Sequence, residues 1–211
     1  MYLPPHFRED RIPVLHELIK RYPLAAIVTP DANGLSANHI PMLILPEPAP
    51  FGTLVGHVAR GNALWREAES PALAIFSGPE HYISPSWYPA KQEHGKVVPT
   101  WNYAAVHAHG VLCVHDDKKW LRDLVTRLTE THEAQFAQPW SVSDAPADYI
   151  DGLLKGIVGI EMRIERLEGK WKMGQNRSDA DRESAAGQLQ QLKTDVAVEV
   201  SELMLKDGER K

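Results

Sequence analysis

Apolar and polar positions change period several times along the chain, and the changes mark its elements. Between Arg11 and Arg21, Ile12, Leu15, Leu18 and Ile19 recur at helical spacing, and Pro23 ends the run. LAAIVT (24–29) reads as a buried strand, PDANG (30–34) as a turn, and LSANHIPMLIL (35–45) as the returning strand of a hairpin. Pro41 lies inside that return, which predicts a sheet edge or a bulge. TLVGHVA (53–59) and ALAIFSG (72–78) read as further strands. Between them a short helix over 63–69 starts at the N-cap Asn62 and is stopped by Pro71. HYISPSWYP reads as a strand that breaks into a loop, and KQEHGK (91–96) as a polar excursion.

VPTWNYAAVHAHG (98–110) has its own pattern. Alternate strand positions share a face, so Trp101, Tyr103, Ala105, His107 and His109 lie together, opposite Asn102, Ala104, Val106 and Ala108. One face is small and mostly apolar, and the other carries two large rings and two imidazoles. VHAHGVLCVH continues the strand to His115. Beyond it Trp120, Leu121, Leu124, Val125 and Leu128 form a helical stripe behind the capping residues Asp116 and Asp117. A second helix spans 146–154, with Tyr149, Ile150, Leu153 and Leu154 on one face. The alternation over 156–174 predicts two half-exposed strands joined near Glu168–Gly169. Ser178 with Asp181 resembles a capping box for a helix through Leu192, and a short amphipathic segment, 196–205, precedes a charged tail.

About seven strands come in runs, with helices around them. That is an α+β arrangement, an antiparallel β-barrel or sandwich decorated with helices. The 211 residues suit a single domain with a C-terminal helical appendage over about 178–205. The formal net charge of -5 argues against a surface devoted to nucleic-acid phosphates. The single cysteine, Cys113, sits in the apolar run VLCV. It excludes an intrachain disulfide, suits the cytoplasm and reads as a buried thiol. No signal peptide and no membrane-crossing run is visible.

GxGxxG, P-loop, HExxH and GxSxG motifs are absent. His107 and His109 share a face, but the histidines keep no fixed spacing to an acidic partner, so no metal site is assigned. A flat phosphorylated ligand fits more of the pattern. Trp87, Tyr88, Trp101 and Tyr103 lie near prolines, and Gly56, Ala59 and Gly61 let backbone approach a ligand. Arg60 with Asn62, and Lys172 with Gln175, Asn176 and Arg177, stand at strand-to-helix junctions where a phosphate is welcome.

The set MYLPPHF, SANHIPMLI, GHVARGNALW, HYISPSWYP, VPTWNYAAVHAHG and KMGQNR closely resembles the PaiB family of FMN-binding negative transcriptional regulators, from Met1 to about Leu205. The resemblance implies an FMN-binding split barrel, a homodimer with the flavin at the subunit interface, and a partner DNA reached directly or through another protein. By the same resemblance Asn38, His39, Ile40 and Pro41 flank the flavin ring. His57, Ala59, Arg60 and Asn62 lie near its ribityl or phosphate. Lys172, Gln175 and Asn176 close the site, and Thr100, Trp101, Asn102 and Tyr103 line it or the dimer seam. The arginine–lysine clamp of pyridoxamine phosphate oxidases is missing. Two other readings remain at this point: a flavin-dependent oxidoreductase, and a structural dimer without cofactor.

Overall fold

The hairpin that opens the sheet is set by alternation and a glycine. In β2 (Leu24–Asp31) Ala25, Ile27 and Thr29 are buried. β3 (Gly34–Pro41) returns alongside it in unbroken register from Asp31↔Gly34 to Leu24↔Pro41. Gly34 takes a positive φ of 130°, which glycine adopts at little cost. The computed structural model describes residues 1–32, 34–67 and 69–208. Asn33 of the expected turn and the end of the charged tail lie outside them.

Eight strands form one antiparallel sheet. The others are β1 (Arg8–Glu9), β4 (Leu43–Leu45), β5 (Thr53–Ala59), β6 (Pro71–Ile83), β7 (Thr100–His115) and β8 (Ile157–Lys172). Their order is β3-β2-β6-β7-β8-β5-β4, with β1 paired to β8. β3 pairs with β2 and β4 pairs with β5, so the single run Gly34–Leu45 carries both ends of that order. The run turns at Met42, whose N–H donates to the Pro23 carbonyl at 2.9 Å. The fold is thus the expected α+β split barrel, and Pro41 sits at the edge that its missing N–H predicts. Chain contacts divide it into two units. One gathers Met1–Leu18, Ser77–Val106 and the chain from Glu168 onward; the other gathers Ile19–Phe76 and His107–Leu167.

In the first unit α5 (Asp179–Gln191) and α6 (Asp195–Gly208) pack through small residues. Ala185, Ala186 and Ala197 are fully buried, and the Ser201 hydroxyl donates to the Ala186 carbonyl at 2.9 Å. The start of α1 (Ile12–Arg21) presses Leu15 onto β8 at Gly169. There the expectation of two strands is corrected, because β8 continues through Glu168–Gly169. Gly169 makes no turn: it pairs with Glu9, and a Cβ on it would overlap Leu15. The expected polar excursion holds a short helix, α2 (Ala90–Glu93).

In the second unit α3 (Lys118–Glu133) is capped by Asp117, whose carboxylate accepts from the Trp120 N–H at 2.8 Å. Leu124 and Leu128 pack on Val55 of β5, and Leu121 packs with Ile150 and Leu154 of α4 (Ala147–Leu154). The expected α4 face is only half buried, since Tyr149 is 59% and Leu153 52% exposed. Ile150 and Leu154 face Leu121, and Tyr149 and Leu153, each one residue earlier and so turned by about 100° on the helix, fall outside that contact. Cys113 is also corrected. It is exposed, because odd-numbered β7 positions face outward while Leu112 and Gly110 face inward.

Candidate functional site

Each expected group of site residues lies within one unit, and each has its own chemistry. In the first unit β7 begins with the predicted alternation: Asn102 and Ala104 are buried, and Trp101 is 49% exposed. Thr100 and Asn102 therefore look one way, and Trp101 and Tyr103 the other. Lys172 ends β8, and its Nζ donates to the Thr100 hydroxyl at 2.6 Å. The chain then turns at Gly174, whose φ is 83°. Gln175 holds that turn: its amide accepts from the Met173 N–H at 2.8 Å and donates to the Trp171 carbonyl at 2.6 Å. The turn delivers Asn176 and Arg177. The Arg177 guanidinium lies 4.9 Å from the ring centre of Tyr88, a cation–π contact.

Thr100, Asn102, Lys172 and Asn176 thus meet, with Tyr88, Gly174 and Arg177, around a recess of about 40 Å³. Two segments hold its walls. The Ala90 N–H donates to Asp181 of α5 at 3.1 Å, and the Ser184 hydroxyl donates to the Trp87 carbonyl at 2.7 Å. Burial pushes the Lys172 ammonium below its ordinary pKa; Tyr103 opposes this, while Lys170 and Arg177 add to it. Burial pushes the Tyr88 hydroxyl up, against the pull of Arg177. Asn102 is 1% exposed, and its Oδ1 has no hydrogen-bond partner among the described residues.

Three expected residues of this group stand apart from the recess. The Trp101 indole N–H donates to the Glu80 carboxylate, and its ring meets Tyr82 edge-on at 6.0 Å. Tyr103 lies under Lys170, whose Nζ is 5.3 Å from the ring centre and donates to the Tyr2 carbonyl. Gln175 braces the turn from behind.

In the second unit Asn62 donates to Asn38 Oδ1 at 2.8 Å, and its own Oδ1 accepts from the Leu64 N–H at 2.9 Å. It caps the 3₁₀ turn Ala63–Glu67, which takes the place of the expected helix. Ala59 ends β5, and its carbonyl accepts from the Asn62 N–H. His39 and Pro41 are exposed, while Ile40 is buried on the opposite face of β3. His57 is half-buried, its Nδ1 lacks a partner among the described residues, and burial lowers its pKa, which favours the neutral ring.

Arg60 is committed. Its guanidinium donates to both carboxylate oxygens of Asp116 and to the Lys155 and Ile157 carbonyls. The space over Gly56 is taken as well, since a Cβ there would meet the Pro41 carbonyl and the Met42 sulfur. That glycine serves the turn of the Gly34–Leu45 run rather than a ligand. Tyr88, a candidate by its aromatic ring, does line the recess; Gly174 is a lining residue that residue type alone does not single out, although it sits inside KMGQNR.

Residues 1–166 match the family described as "Putative FMN-binding domain". The chain belongs to this FMN-binding family, and FMN is the cofactor the family implies. It is 31% identical to the Protease synthase and sporulation protein PAI 2 of Bacillus subtilis, covering 97% of this chain and 96% of that protein. An uncharacterized protein of Emericella nidulans is 34% identical over 248 residues, covering 100% of this chain and 99% of its own. The fold is shared with the FAD and haem binding protein of Mycobacterium smegmatis, at a TM-score of 0.57 and 19% identity, over 85% of this chain and 80% of that one. The flavocytochrome Anf3 of Azotobacter vinelandii shares it at a TM-score of 0.54 and 9% identity, over 77% of this chain and 67% of that one. Among the described residues no helix is long and apolar enough to cross a membrane.

The residues present fit such a cofactor in kind. FMN presents many acceptor atoms and few donors. The recess offers an ammonium, a guanidinium, a hydroxyl and two amides, with no carboxylate in its lining.

Proposed function

We propose that this chain is an FMN-binding homodimer of the cytoplasm that acts as a negative transcriptional regulator. The observation that carries this reading is the relationship to PAI 2 across nearly the whole of both chains, joined to the FMN-binding family match. Two sets of residues are proposed as flavin contacts. One is Thr100, Asn102, Lys172 and Asn176, with Trp101, Tyr103 and Gln175 around them. The other is Asn38, His39, Pro41, His57, Ala59 and Asn62, with Ile40 and Arg60 supporting from behind. Bound FMN supplies reversible redox chemistry, while the protein supplies orientation and electrostatics. The acidic net charge of -5 favours action on DNA through a partner protein over a broad phosphate-binding face.

An absorbance spectrum of purified protein after FMN addition, followed by a gel shift on its own promoter region with and without FMN, tests both halves. Flavin bands that stay with the protein through gel filtration at the dimer's elution volume support the cofactor and the dimer. A promoter shift, alone or with cell extract, that changes with FMN supports regulation. No retained flavin removes the first half, and no shift at low salt under any condition removes the second.

A further inference from the structure

The recess at the start of β7 holds two cations that form no ion pair with an acid among the described residues. Lys172 spends one donor on the Thr100 hydroxyl, and Arg177 lies on the Tyr88 ring. Among the described residues neither makes an ion pair, in contrast to Arg60, which Asp116 neutralises. Adjacent like charges raise each other's free energy, so a fold that keeps two of them together gains from an anion between them. Lys170 stands behind the same segment, on the rings of Tyr2 and Tyr103. The remaining lining groups donate or can turn to donate: the Thr100 hydroxyl and the Asn102 and Asn176 amides. Asn102 is 1% exposed, and its Oδ1, which has no partner among the described residues, is an acceptor, so Asn102 serves an anion only with its amide turned to present Nδ2.

Size narrows the class. About 40 Å³ is the space of a few waters, enough for a phosphoryl or similar head and too little for a ring system. A guanidinium, an ammonium and a hydroxyl around one small cavity are the donors that phosphate oxygens use best. Lys172, Gly174, Asn176 and Arg177 all lie beyond residue 166, where the family match ends.

We propose that this recess is a phosphate-monoester site, with Lys172 and Arg177 as its charge-bearing ligands and Thr100 and Asn176 as its neutral donors. Its physiological occupant, which rests on the FMN reading above, is the cofactor's own phosphate. Arg60 then has no part in phosphate binding.

The test uses the full chain with FMN, riboflavin and inorganic phosphate as probes. Flavin affinity is read by fluorescence quenching and phosphate binding by the shift in melting temperature. The wild type is expected to bind FMN about tenfold or more tighter than riboflavin, the gain of a charge-assisted contact. Lys172→Met and Arg177→Met are expected to erase most of that preference while leaving riboflavin affinity within about twofold, since riboflavin lacks the phosphate. Lys118→Met, a change at a surface lysine paired with Asp151, is expected to keep the preference. Arg177→Lys, which keeps the charge, is the control for folding and should retain part of it.

If the wild type binds no flavin but phosphate still raises its melting temperature through Lys172 and Arg177, the site stands and the FMN reading falls. If inorganic phosphate binds the FMN-loaded protein through the same two residues, the occupant is a free phosphate and the cofactor's phosphate lies elsewhere. If folded Lys172→Met and Arg177→Met proteins keep the full preference for FMN and phosphate shifts no melting temperature, the proposal is overturned.

Discussion

Lys172 and Thr100 meet across the ends of β8 and β7, with Nζ 2.6 Å from the threonine hydroxyl. The contact holds the ammonium in a pocket where burial, Lys170 and Arg177 all disfavour its charge. A lysine whose folded pKa lies below its unfolded 10.5 costs stability at neutral pH. The unfolded chain holds more protons between the two values, so the cost is relieved as pH rises through the folded value towards 10.5. Wild type should therefore gain stability relative to Lys172→Met over that alkaline window, measured by urea denaturation at a series of pH values. Saturating phosphate or FMN should flatten the difference by favouring the charged form. A stability difference independent of pH would show that the ammonium is not destabilised.

His57 gives the matching prediction on the acid side. Burial lowers its pKa from 6.5, and its Nδ1 has no partner among the described residues to hold a proton. As pH falls through 6.5 the unfolded chain takes up a proton that the folded chain refuses, so stability drops. His57→Gln should lessen that acid loss of melting temperature. Parallel melting curves for the two proteins across mildly acidic pH would contradict it.

Trp120 and Gly159 make a lock in the second unit. The indole stacks on His115, with ring centres 4.1 Å apart and planes 8° from parallel, and it fills the place where a Gly159 side chain would stand. Gly159→Ala should cost about 1–3 kcal/mol by overpacking, read by chemical denaturation. Adding Trp120→Leu should cost less in that background than in wild type, because the two changes share one space. Strictly additive losses would mean that the alanine is accommodated elsewhere.

The α5 cap separates two roles that the capping-box pattern joined. The Ser178 hydroxyl accepts from the Asp181 N–H at 3.2 Å, but the Asp181 carboxylate accepts from the Ala90 N–H instead of returning to Ser178. Ser178→Ala should cost about 1 kcal/mol, as an N-cap does. Asp181→Ala should cost more, about 1–3 kcal/mol, because it leaves a buried N–H unpaired beside Tyr88. It should also weaken FMN binding, where Ser178→Ala does not. Equal effects on both measurements would make Asp181 a cap and nothing more.

Local pattern carried much of the fold. Period-two alternation placed β2, β5 and β7 and assigned the two faces of β7 correctly, because which side of a strand a residue faces is a local property. The helical stripes of α1 and α3 were legible for the same reason. What misled was residue identity read without its neighbour. Gly169 suggested a turn, yet it is there so that Leu15 can approach the strand; Gly56 suggested an opening, yet Pro41 and Met42 occupy it. The expected site divided along the same line. Thr100, Asn102, Lys172 and Asn176 converge, whereas Arg60 is spent on Asp116 and Gln175 on its own turn.

The sequence by itself determined most of the strands and the alternation at the start of β7, which follow from periodicity, and the family and cofactor class, which follow from the resemblance of motifs contiguous along the chain. Only the tertiary structure decided which cations are left without an acid. Pairing depends on which side chains meet across 56 positions, as Arg60 and Asp116 do, or across 72, as Lys172 and Thr100 do. No local pattern encodes those separations, and they are what make Lys172 and Arg177, rather than Arg60, the charges open to a ligand.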